Sequence, residues 1–354
     1  MIPVLFFDPL CPRPYDEATL RGAGLAGTEA STVRIAAALD AWVSQHNRTQ
    51  TAGRYRAPAS FAEPKQVIVL RDPRALATAA RLYPGARLYL WVHDRIEPGS
   101  SRARWFAAAA GELRRLQPDI ICVSDYQRAT VAATLARIPG CERLVVRRIY
   151  NPVDDGIVPD GAPVDTSKLV FFSSPNKGLR FTLDAFRALR RRMPDLRLCV
   201  GNPGYKDFAG VGIAGVEWLG SLPHAQVLAQ ARTALCTFSG NFVIPETFGL
   251  VFAESHAVGT PVLAPDCGAA SEVLGNPREV LPVSFAQRAY EAPLRRLAPH
   301  WRTAAARVAD TLGLFDAYIE RIGSWRGGER PRVGPDPRFR LSVVAAQWRA
   351  LLTT

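Results

Sequence analysis

The chain has 354 residues, of which 48% are hydrophobic, enough to bury one large core or two ordinary ones. Its charged fraction of 21%, with 28 Pro and 27 Gly, is typical of a globular protein and excludes a fibrous or disordered one. No apolar run approaches the roughly 18 residues that a membrane-spanning helix needs. The first residues are apolar but lack the basic segment and cleavage site of a signal peptide, so we interpret them as a β-strand.

The chain is strongly basic, with a net charge of +12, and only four of its 44 basic residues are Lys. Arginine-rich usage can reflect only the coding composition of a genome; otherwise it indicates a chain attracted to phosphate groups. Zinc-finger spacing, an aromatic RNA-binding signature and a basic helix with a zipper are all missing, so we expect no nucleic acid partner. The six cysteines are scattered without a CxxC pair, which is typical of reduced thiols in a cytoplasmic protein.

Strand and helix patterns alternate over the first 150 residues. We predict a first strand over 2–7 and a helix over 28–44, and helical patterns recur near 73–82, 102–116 and 126–137. Between them lie the apolar strands KQVIVL, RLYLWVH, DIICVS and LVVRRIY. Near-continuous apolar strands between helices indicate a parallel sheet that is covered on both faces.

A segment rich in Pro, Gly and Asp, residues 151–167, is the candidate linker. The alternation then restarts with the strands KLVFFSS, LRLCVG, TALCTFS and TPVLAPD, and with helices predicted over 179–192, 223–231 and 249–258. The tail from about residue 285 has a mostly helical pattern. We therefore predict an α/β protein with two facing, doubly wound domains at 1–155 and 168–335, and a last helix within 339–354.

Three glycines, Gly22, Gly24 and Gly27, form a GxGxxG pattern before the first helix. A dinucleotide site would need them directly after the first strand, with an acidic residue about 20 positions further on. Here a long loop intervenes and the next predicted strand ends some 45 residues later, so the pattern is only weak evidence for nicotinamide binding. Glycines before a helix still let backbone N–H groups approach a ligand closely.

The strongest pattern is PETFGLVFAES, residues 245–255. Glu246 precedes a predicted helix, and Gly249 stands where that helix begins and its N–H groups can bind phosphate. Glu254 lies a turn and a half into the helix and can point into the same cleft. The alternative is a carboxylate at a helix start plus a solvated helix Glu, and the pattern alone leaves both open.

Glu246 and Glu254 form an E-x7-E pair whose surroundings resemble the retaining glycosyltransferases of family 4, which have the GT-B fold. The similarity includes GVEWLGSLPHAQVLAQARTALCTFS before the pair, GTPVLAPDCGAASEVLG after it and the closing stretch FRLSVVAAQWRALL. The resemblance implies two Rossmann-like domains, the first for the acceptor and the second for a nucleotide sugar. It also implies a C-terminal helix that returns to the first domain.

The resemblance implies a role for each glutamate. Glu254 would bind the ribose hydroxyls of a nucleotide sugar, and Glu246 would contact the transferred hexose. A carboxylate accepts hydrogen bonds from two adjacent hydroxyls well, and fixed donors suit a leaving group that gains charge. The backbone amides that would hold the diphosphate belong to Phe248, Gly249, Leu250 and Val251.

A lysine after the first strand of the second domain, Lys177, resembles the family's diphosphate ligand. The family usually has an Arg about five residues earlier, where this chain has Phe172. The resemblance then requires a substitute, either an Arg from elsewhere or the hydroxyls and amides of Ser173 and Ser174. Without the resemblance, a lone Lys before Gly is an ordinary turn residue.

Two features of the first domain complete the expected site. Gly27, Thr28 and Glu29 are similar to the family's N-terminal glycine loop and would contact the acceptor or sugar. His93 ends a predicted strand at its carboxyl edge, where open α/β sheets bind ligands. It is either a packed structural histidine or, as the resemblance implies, a hydrogen-bond partner of the donor sugar with a catalytic role beside Glu246 and Lys177.

The resemblance implies a retaining hexosyltransferase whose substrate is a nucleotide-diphosphate sugar, and we expect it to need no metal and no cofactor. The adjacent pair Asp154 and Asp155 is poorly placed to converge on one ion. The expected acceptor is a glycan, a lipid-linked sugar or a protein, and contact with anionic membrane is possible at this charge. The alternatives are a sugar-nucleotide epimerase and a non-catalytic membrane- or nucleic-acid-binding protein on the same scaffold.

Overall fold

The computed structural model describes residues 3–22, 25–58, 63–202, 212–242, 244–283 and 313–353. Its contacts divide the chain into two compact units. Unit 1 comprises Met1–Leu20, Ala26–Asp155 and Pro337–Thr354, and unit 2 comprises Arg21–Leu25 and Gly156–Asp336. No helix in the described ranges is long and apolar enough to cross a membrane.

Unit 1 is built on a parallel sheet of seven strands in the order β3-β2-β1-β4-β5-β6-β7. The strands are β1 (Val4–Asp8), β2 (Trp42–Gln45), β3 (Tyr55–Arg56), β4 (Gln66–Leu70), β5 (Arg87–Trp91), β6 (Asp119–Cys122) and β7 (Val146–Arg148). The order reverses at β1, which pairs with β2 on one side and β4 on the other. This reversal is the place where open parallel sheets bind ligands.

Six helices connect these strands: α1 (Glu17–Arg21), α2 (Gly27–Ala38), α3 (Leu76–Leu82), α4 (Ser101–Ala108), α5 (Ala110–Leu116) and α6 (Asp125–Leu135). A 3-10 turn, Pro73–Ala75, leads into α3. Ser124 begins α6, and its hydroxyl accepts a hydrogen bond from the N–H of Gln127 at 3.0 Å. This cap satisfies one of the N–H groups that a helix start leaves without an internal partner.

Unit 2 has a parallel sheet of six strands in the order β10-β9-β8-β11-β12-β13. They are β8 (Asp165–Phe171), β9 (Arg197–Asn202), β10 (Val216–Ser221), β11 (Ala234–Phe238), β12 (Val262–Pro265) and β13 (Val280–Leu281). Here the order reverses at β8, which pairs with β9 and β11. The two sheets give the α/β, two-unit Rossmann-like architecture that the alternating pattern predicted.

The helices of unit 2 are α7 (Leu179–Arg192), α8 (His224–Arg232), α9 (Leu250–Ala257), α10 (Ala270–Leu274) and α11 (Leu314–Ser324), followed by a π-helical turn, Trp325–Glu329. α7 is amphipathic, and its buried Phe186 and Leu189 pack into one core with Phe238, Tyr318 and Trp325. Its last turn contains Arg190, Arg191 and Arg192, whose positive charges interact favourably with the negative end of the helix dipole.

The last helix, α12 (Leu341–Leu352), follows a 3-10 turn, Pro337–Phe339, and packs against unit 1. Its buried Trp348 contacts the rings of Trp91 and Phe6, with centroids 5.0 and 6.1 Å apart. Aromatic pairs at these distances contribute about 0.5–1.5 kcal/mol each beyond the area that they bury. The amphipathic pattern at the end of the sequence therefore belongs to a helix that completes the core of unit 1.

The structure corrects three predicted elements. The helix predicted over 28–44 ends at Ala38, because Asp40 takes a left-handed conformation (φ 51°) and the segment WVSQ that follows is strand β2. The helix predicted over 102–116 is interrupted at Ala109 and forms two helices. The predicted linker is shorter, because β8 already begins at Asp165. Much of the tail predicted to be helical, residues 284–312, lies outside the described residues.

Candidate functional site

The predicted donor residues of unit 2 lie where its sheet order reverses. Lys177 is in the turn after β8, and Glu246 is in the loop after β11, the neighbouring strand. Carboxyl ends of parallel strands meet at one edge of a sheet, and the reversal opens a crevice there. The structure therefore brings together two residues that are 69 positions apart in the chain.

Lys177 and Glu246 form an ion pair with 2.7 Å between Nζ and Oε2. The Glu246 side chain is 7% exposed, whereas that of Lys177 is 41% exposed. A charge-assisted hydrogen bond to a buried carboxylate is stronger than a neutral one. The buried glutamate is held in place while the lysine remains accessible to a ligand.

The backbone of Glu246 is fixed by the loop that follows β12. The carbonyl of Glu246 accepts a hydrogen bond from the N–H of Ala269 at 2.8 Å, and its own N–H donates to the Cys267 carbonyl at 3.3 Å. Between them Gly268 has φ 74°, and a Cβ at this glycine would lie 2.3 Å from the Glu246 carbonyl oxygen. Only glycine fits this conformation and this approach.

A second close approach positions Lys177. Gly178 has φ 84°, and a Cβ on it would lie 2.6 Å from the Cβ of Asn241. The buried Asn241 side chain donates to the carbonyl of Ile244 at 2.7 Å and accepts from its N–H at 3.1 Å. Asn241 therefore holds the loop that precedes Glu246 against the turn that carries Lys177.

The start of α9 supplies N–H groups on the same side of the sheet. Gly249 (φ 87°) precedes the helix, and no side chain caps it. Leu250 and Val251 lie in the first turn, where backbone N–H groups have no acceptor within the helix. These N–H groups form the positive end of the helix dipole. The Phe248 side chain is buried, so this residue offers only its backbone. The arrangement suits an anion.

Glu254 has a different partner, one that the sequence analysis left without a role. Its Oε1 lies 3.0 Å from Nε2 of His224, the first residue of α8. The Glu254 side chain is 12% exposed and that of His224 is 29% exposed. In a single sequence, nothing distinguishes a lone histidine at a helix start as a site residue. The pairing of His224 with Glu254 becomes visible only because α8 and α9 are in contact.

The segment before Lys177 provides hydroxyls but no second cation. The carbonyl of the buried Ser174 accepts from the N–H of Lys177 at 2.7 Å, and its hydroxyl bonds to Asn176. Ser173 is half-buried. The ring of Phe172 covers Gly201, where a Cβ would lie 2.6 Å from it. Ser174 thus shapes the turn, and Phe172 packs against β9.

The predicted residues of unit 1 lie at the corresponding edge of its own sheet. Gly27 and Thr28 begin α2, and Glu29 follows in its first turn, with Oε1 3.4 Å from Nη2 of Arg71. Burial raises the pKa of Glu29, which the Arg71 charge partly offsets. His93 is 8% exposed, and burial, helped by Arg71, holds its pKa well below the usual range. The imidazole is therefore neutral at physiological pH.

Within the described ranges, the structure has no cluster of three or more His, Cys, Asp or Glu side chains that could hold a metal ion. Asp154 and Asp155 take separate partners: Asp154 bonds to Arg34 at 3.0 Å, and Asp155 accepts from the N–H of Ser342 at 3.1 Å.

The α/β architecture with two parallel, Rossmann-like sheets is that of the GT-B fold. Residues 166–295 match the family model described as Glycosyl transferases group 1. This matched stretch lies within unit 2, which is therefore similar to the group 1 glycosyl transferases, in keeping with the resemblance of its residues.

Curated relatives match part of the chain. It is 32% identical over 122 residues to a phosphatidyl-myo-inositol mannosyltransferase of Mycobacterium tuberculosis, covering 32% of each chain. The protein of that name from Mycolicibacterium smegmatis is 30% identical over 152 residues, 39% of each chain. The chain thus matches about a third of the length of these relatives.

Solved structures match almost the whole chain. The Anabaena protein HepE in complex with UDP-glucose has a TM-score of 0.63 at 17% identity and covers 99% of both chains. Sucrose-phosphate synthase of Thermosynechococcus elongatus has a TM-score of 0.61 at 14% identity, covering 99% of this chain and 98% of the other. At these identities the likeness shows the fold.

Proposed function

We propose that the chain is a retaining glycosyltransferase that moves a hexose from a nucleotide-diphosphate sugar to a glycan, lipid-linked or protein acceptor. The observation that carries the proposal is the edge of unit 2, where Lys177, Glu246 and the start of α9 lie together at the reversal of the sheet. This edge combines a cation, the N–H groups of an uncapped helix start and carboxylates, which suits an anionic diphosphate joined to two polyols.

The diphosphate is assigned to Lys177 and the first amides of α9. Lys177 Nζ lies 2.7 Å from the carboxylate that we assign to the hexose, so its charge lies close to the bond between sugar and diphosphate. Stabilising the charge that develops on a leaving group lowers the barrier, because donors fixed in advance need no reorganisation. In this proposal Lys177 and the amides take the place of a metal ion.

Glu254 is assigned to the ribose. A carboxylate can accept hydrogen bonds from two adjacent hydroxyls, and His224 at 3.0 Å orients this one. Glu246 is assigned to the hexose hydroxyls. The two glutamates have different neighbours, which supports the separate roles that the resemblance implies.

The reaction is proposed to retain the anomeric configuration and to need no divalent cation. The amides are proposed to fix the diphosphate beneath the anomeric carbon of the sugar, so that a diphosphate oxygen lies on the face that the acceptor approaches. Attack of the acceptor hydroxyl from that face preserves the configuration of the anomeric carbon. Transfer measured with and without EDTA, followed by NMR of the product anomer, tests both halves. We expect full activity in EDTA and an α-linked product from an α-linked donor. Activity abolished by EDTA refutes metal independence, and a β-linked product refutes retention.

The acceptor is proposed to reside on a lipid at the cytoplasmic face of a membrane. The curated relatives are named for a phosphatidyl-myo-inositol substrate, and the net charge of +12 favours anionic surfaces. Arg191 and Arg192 at the end of α7 are exposed and contribute to this charge. Each basic residue near an anionic surface contributes about 1 kcal/mol and is screened by salt. Flotation with anionic vesicles at low and high salt tests the contact; absence of binding at low salt contradicts it.

A ligand screen tests donor binding before the sugar is known. A nucleoside diphosphate at 100 times its dissociation constant stabilises a protein by about 2.7 kcal/mol, which a thermal shift detects. We expect one of UDP, GDP and ADP to raise the melting temperature, and expect a smaller rise in Lys177→Ala, where roughly 10- to 100-fold weaker binding leaves about 0.4–1.4 kcal/mol of stabilisation. The matched control is Lys65→Ala, which removes an exposed lysine from unit 1. No shift with any of the three in the wild type contradicts the proposal.

A further inference from the structure

Unit 1 has a buried charge cluster at the reversal of its sheet, and most of it lies outside the predicted motifs. Asp8 is the last residue of β1, Arg71 follows β4, and Glu29 is in the first turn of α2. Nη2 of Arg71 lies 3.5 Å from Oδ1 of Asp8 and 3.4 Å from Oε1 of Glu29. One guanidinium therefore faces two carboxylates at the edge where open sheets bind ligands.

Both carboxylate oxygens of Asp8 accept hydrogen bonds from neighbouring residues. Its Oδ2 accepts from the hydroxyl of Tyr15 at 2.9 Å, and its Oδ1 accepts from the N–H of Leu10 at 3.0 Å. Glu29 differs: its side chain is 6% exposed, and its Oε2 has no hydrogen-bond partner among the described residues. The same holds for Nε of Arg71. Buried polar atoms of this kind are costly, and each requires a partner.

The two unsatisfied atoms have opposite requirements. Glu29 Oε2 needs a hydrogen-bond donor, and Arg71 Nε needs an acceptor. A hydroxyl group is both at once, whereas a phosphate or carboxylate oxygen only accepts. The pair therefore matches an alcohol.

The surrounding charge also disfavours an anion. The carboxylates of Asp8, Glu29 and Asp94 lie with the guanidiniums of Arg71 and Arg102, the latter 3.2 Å from Asp94. Three negative and two positive groups leave the cluster with one net negative charge. The neighbouring His93 adds no positive charge, because burial and Arg71 hold its pKa well below the usual range.

Arg71 is held in this position by its backbone. It has φ 64°, which is uncommon outside glycine, and across it the N–H of Asp72 donates to the carbonyl of Leu70 at 2.7 Å. The N–H of Arg71 donates to the Trp91 carbonyl at 2.9 Å. Such strained positions concentrate at ligand sites.

We infer that this cluster binds the hydroxyl groups of a neutral polyol, the accepting end of the acceptor, and disfavours an acceptor that presents phosphate or carboxylate there. Glu29 accepts a hydrogen bond from a hydroxyl of the ligand, and Arg71 donates a hydrogen bond to a ligand hydroxyl. Arg71 is also a positioning residue for both carboxylates. The inference rests on the proposed transferase activity and specifies the class of its acceptor.

Saturation-transfer NMR on the full chain tests the inference directly. The probes are methyl α-glucoside, glucose 6-phosphate and methyl glucuronide, which share a ring and differ in charge. We expect a signal for the neutral glycoside, at least about tenfold weaker binding of the two anions, and loss of the signal in Glu29→Gln. Glu112→Gln, a substitution in α5 on the same unit, is the matched control and should behave as wild type.

The wild-type comparison requires no variant, so it holds even if Glu29→Gln does not fold. No signal from the neutral glycoside, or equal or tighter binding of either anion, overturns the inference. An unchanged signal in a folded Glu29→Gln does so as well. Calorimetry with UDP and GDP on the same samples separates this from the proposed function: lost nucleotide binding contradicts the donor site, whereas lost glycoside binding alone contradicts only the acceptor class.

Discussion

The two units place different chemistry at the same point of the same fold. Where the sheet of unit 2 reverses, an accessible lysine and uncapped helix amides accompany a buried glutamate. Where the sheet of unit 1 reverses, the groups are carboxylates, one shared arginine and a neutral histidine, nearly all buried. A Rossmann-like sheet fixes where a ligand binds, and the side chains at its reversal decide the charge of that ligand. Unit 2 suits an anion, and unit 1 suits a neutral polyol.

The largest effect is expected where unit 2 depends on a glycine. In Gly268→Ala the new Cβ would meet the Glu246 carbonyl, so left-handed strain and overpacking together cost about 3 kcal/mol of unfolding free energy. Gly220→Ala is the matched control, because Gly220 has φ 66° and nothing within 4 Å of its Cβ position. It should cost only about 1 kcal/mol. Urea unfolding measures both, and equal losses would show that the contact with Glu246 does not matter.

The next effect concerns the cation of unit 2. Lys177→Ala should weaken nucleoside diphosphate binding roughly 10- to 100-fold, since a hydrogen bond to a charged group contributes about 1.5–3 kcal/mol. Calorimetry with the free nucleotide measures the change, with Lys65→Ala as the control. Affinity and turnover both within about twofold of wild type, well under the 1.4 kcal/mol of a tenfold change, would remove Lys177 from the site.

Substitutions of the two glutamates of unit 2 should have different effects. Glu254→Ala should weaken binding of the free nucleoside diphosphate about tenfold or more, because it loses the ribose contact. Glu246→Ala should leave nucleotide binding nearly unchanged and impair sugar transfer. Calorimetry with the nucleotide and a transfer assay give the two readouts. Equal losses of nucleotide affinity in both variants would contradict the assignment.

The smallest effect tests the neutral histidine of unit 1. His93 has a pKa below its unfolded value, so the unfolded chain binds the extra proton and stability falls as pH drops below about 6.5. One such histidine costs up to about 1.4 kcal/mol per pH unit below that value. His93→Gln should lose less stability than wild type in urea unfolding between pH 7.5 and 5.5, whereas His46→Gln, an exposed control, should not differ. Identical slopes in all three proteins would contradict a neutral, buried His93.

The sequence predicted both sheets because they follow from short-range patterns, whereas the donor residues were singled out through the family resemblance and stay a prediction. Apolar strands between helices imply parallel sheets, and the α7 bounds follow from the spacing of its apolar residues. Strand β2 was missed because WVSQ is short and follows a helical pattern, and only its pairing with β1 reveals it.

The rest of the site depends on contacts between distant residues. His224 and Arg71 carry no motif, and their roles follow from what the fold places beside them: Glu254 in one case, and Asp8 with Glu29 in the other. Lys177 was singled out through the family resemblance, but its hydrogen bond to Glu246, which is 69 positions away, could not be predicted from the sequence. Local patterns predict elements, whereas charge clusters require the tertiary structure.

Hydrogen exchange of the full chain with and without the nucleoside diphosphate that it binds is the most direct test of the difference between the units. The account predicts slower exchange of amides at the turn of Lys177, at the loop of Glu246 and in the first turn of α9. It predicts no slowing at Asp8, Glu29 or Arg71. Protection confined to the cluster of unit 1, with unit 2 unchanged, would contradict the central claim that unit 2 binds the anionic donor.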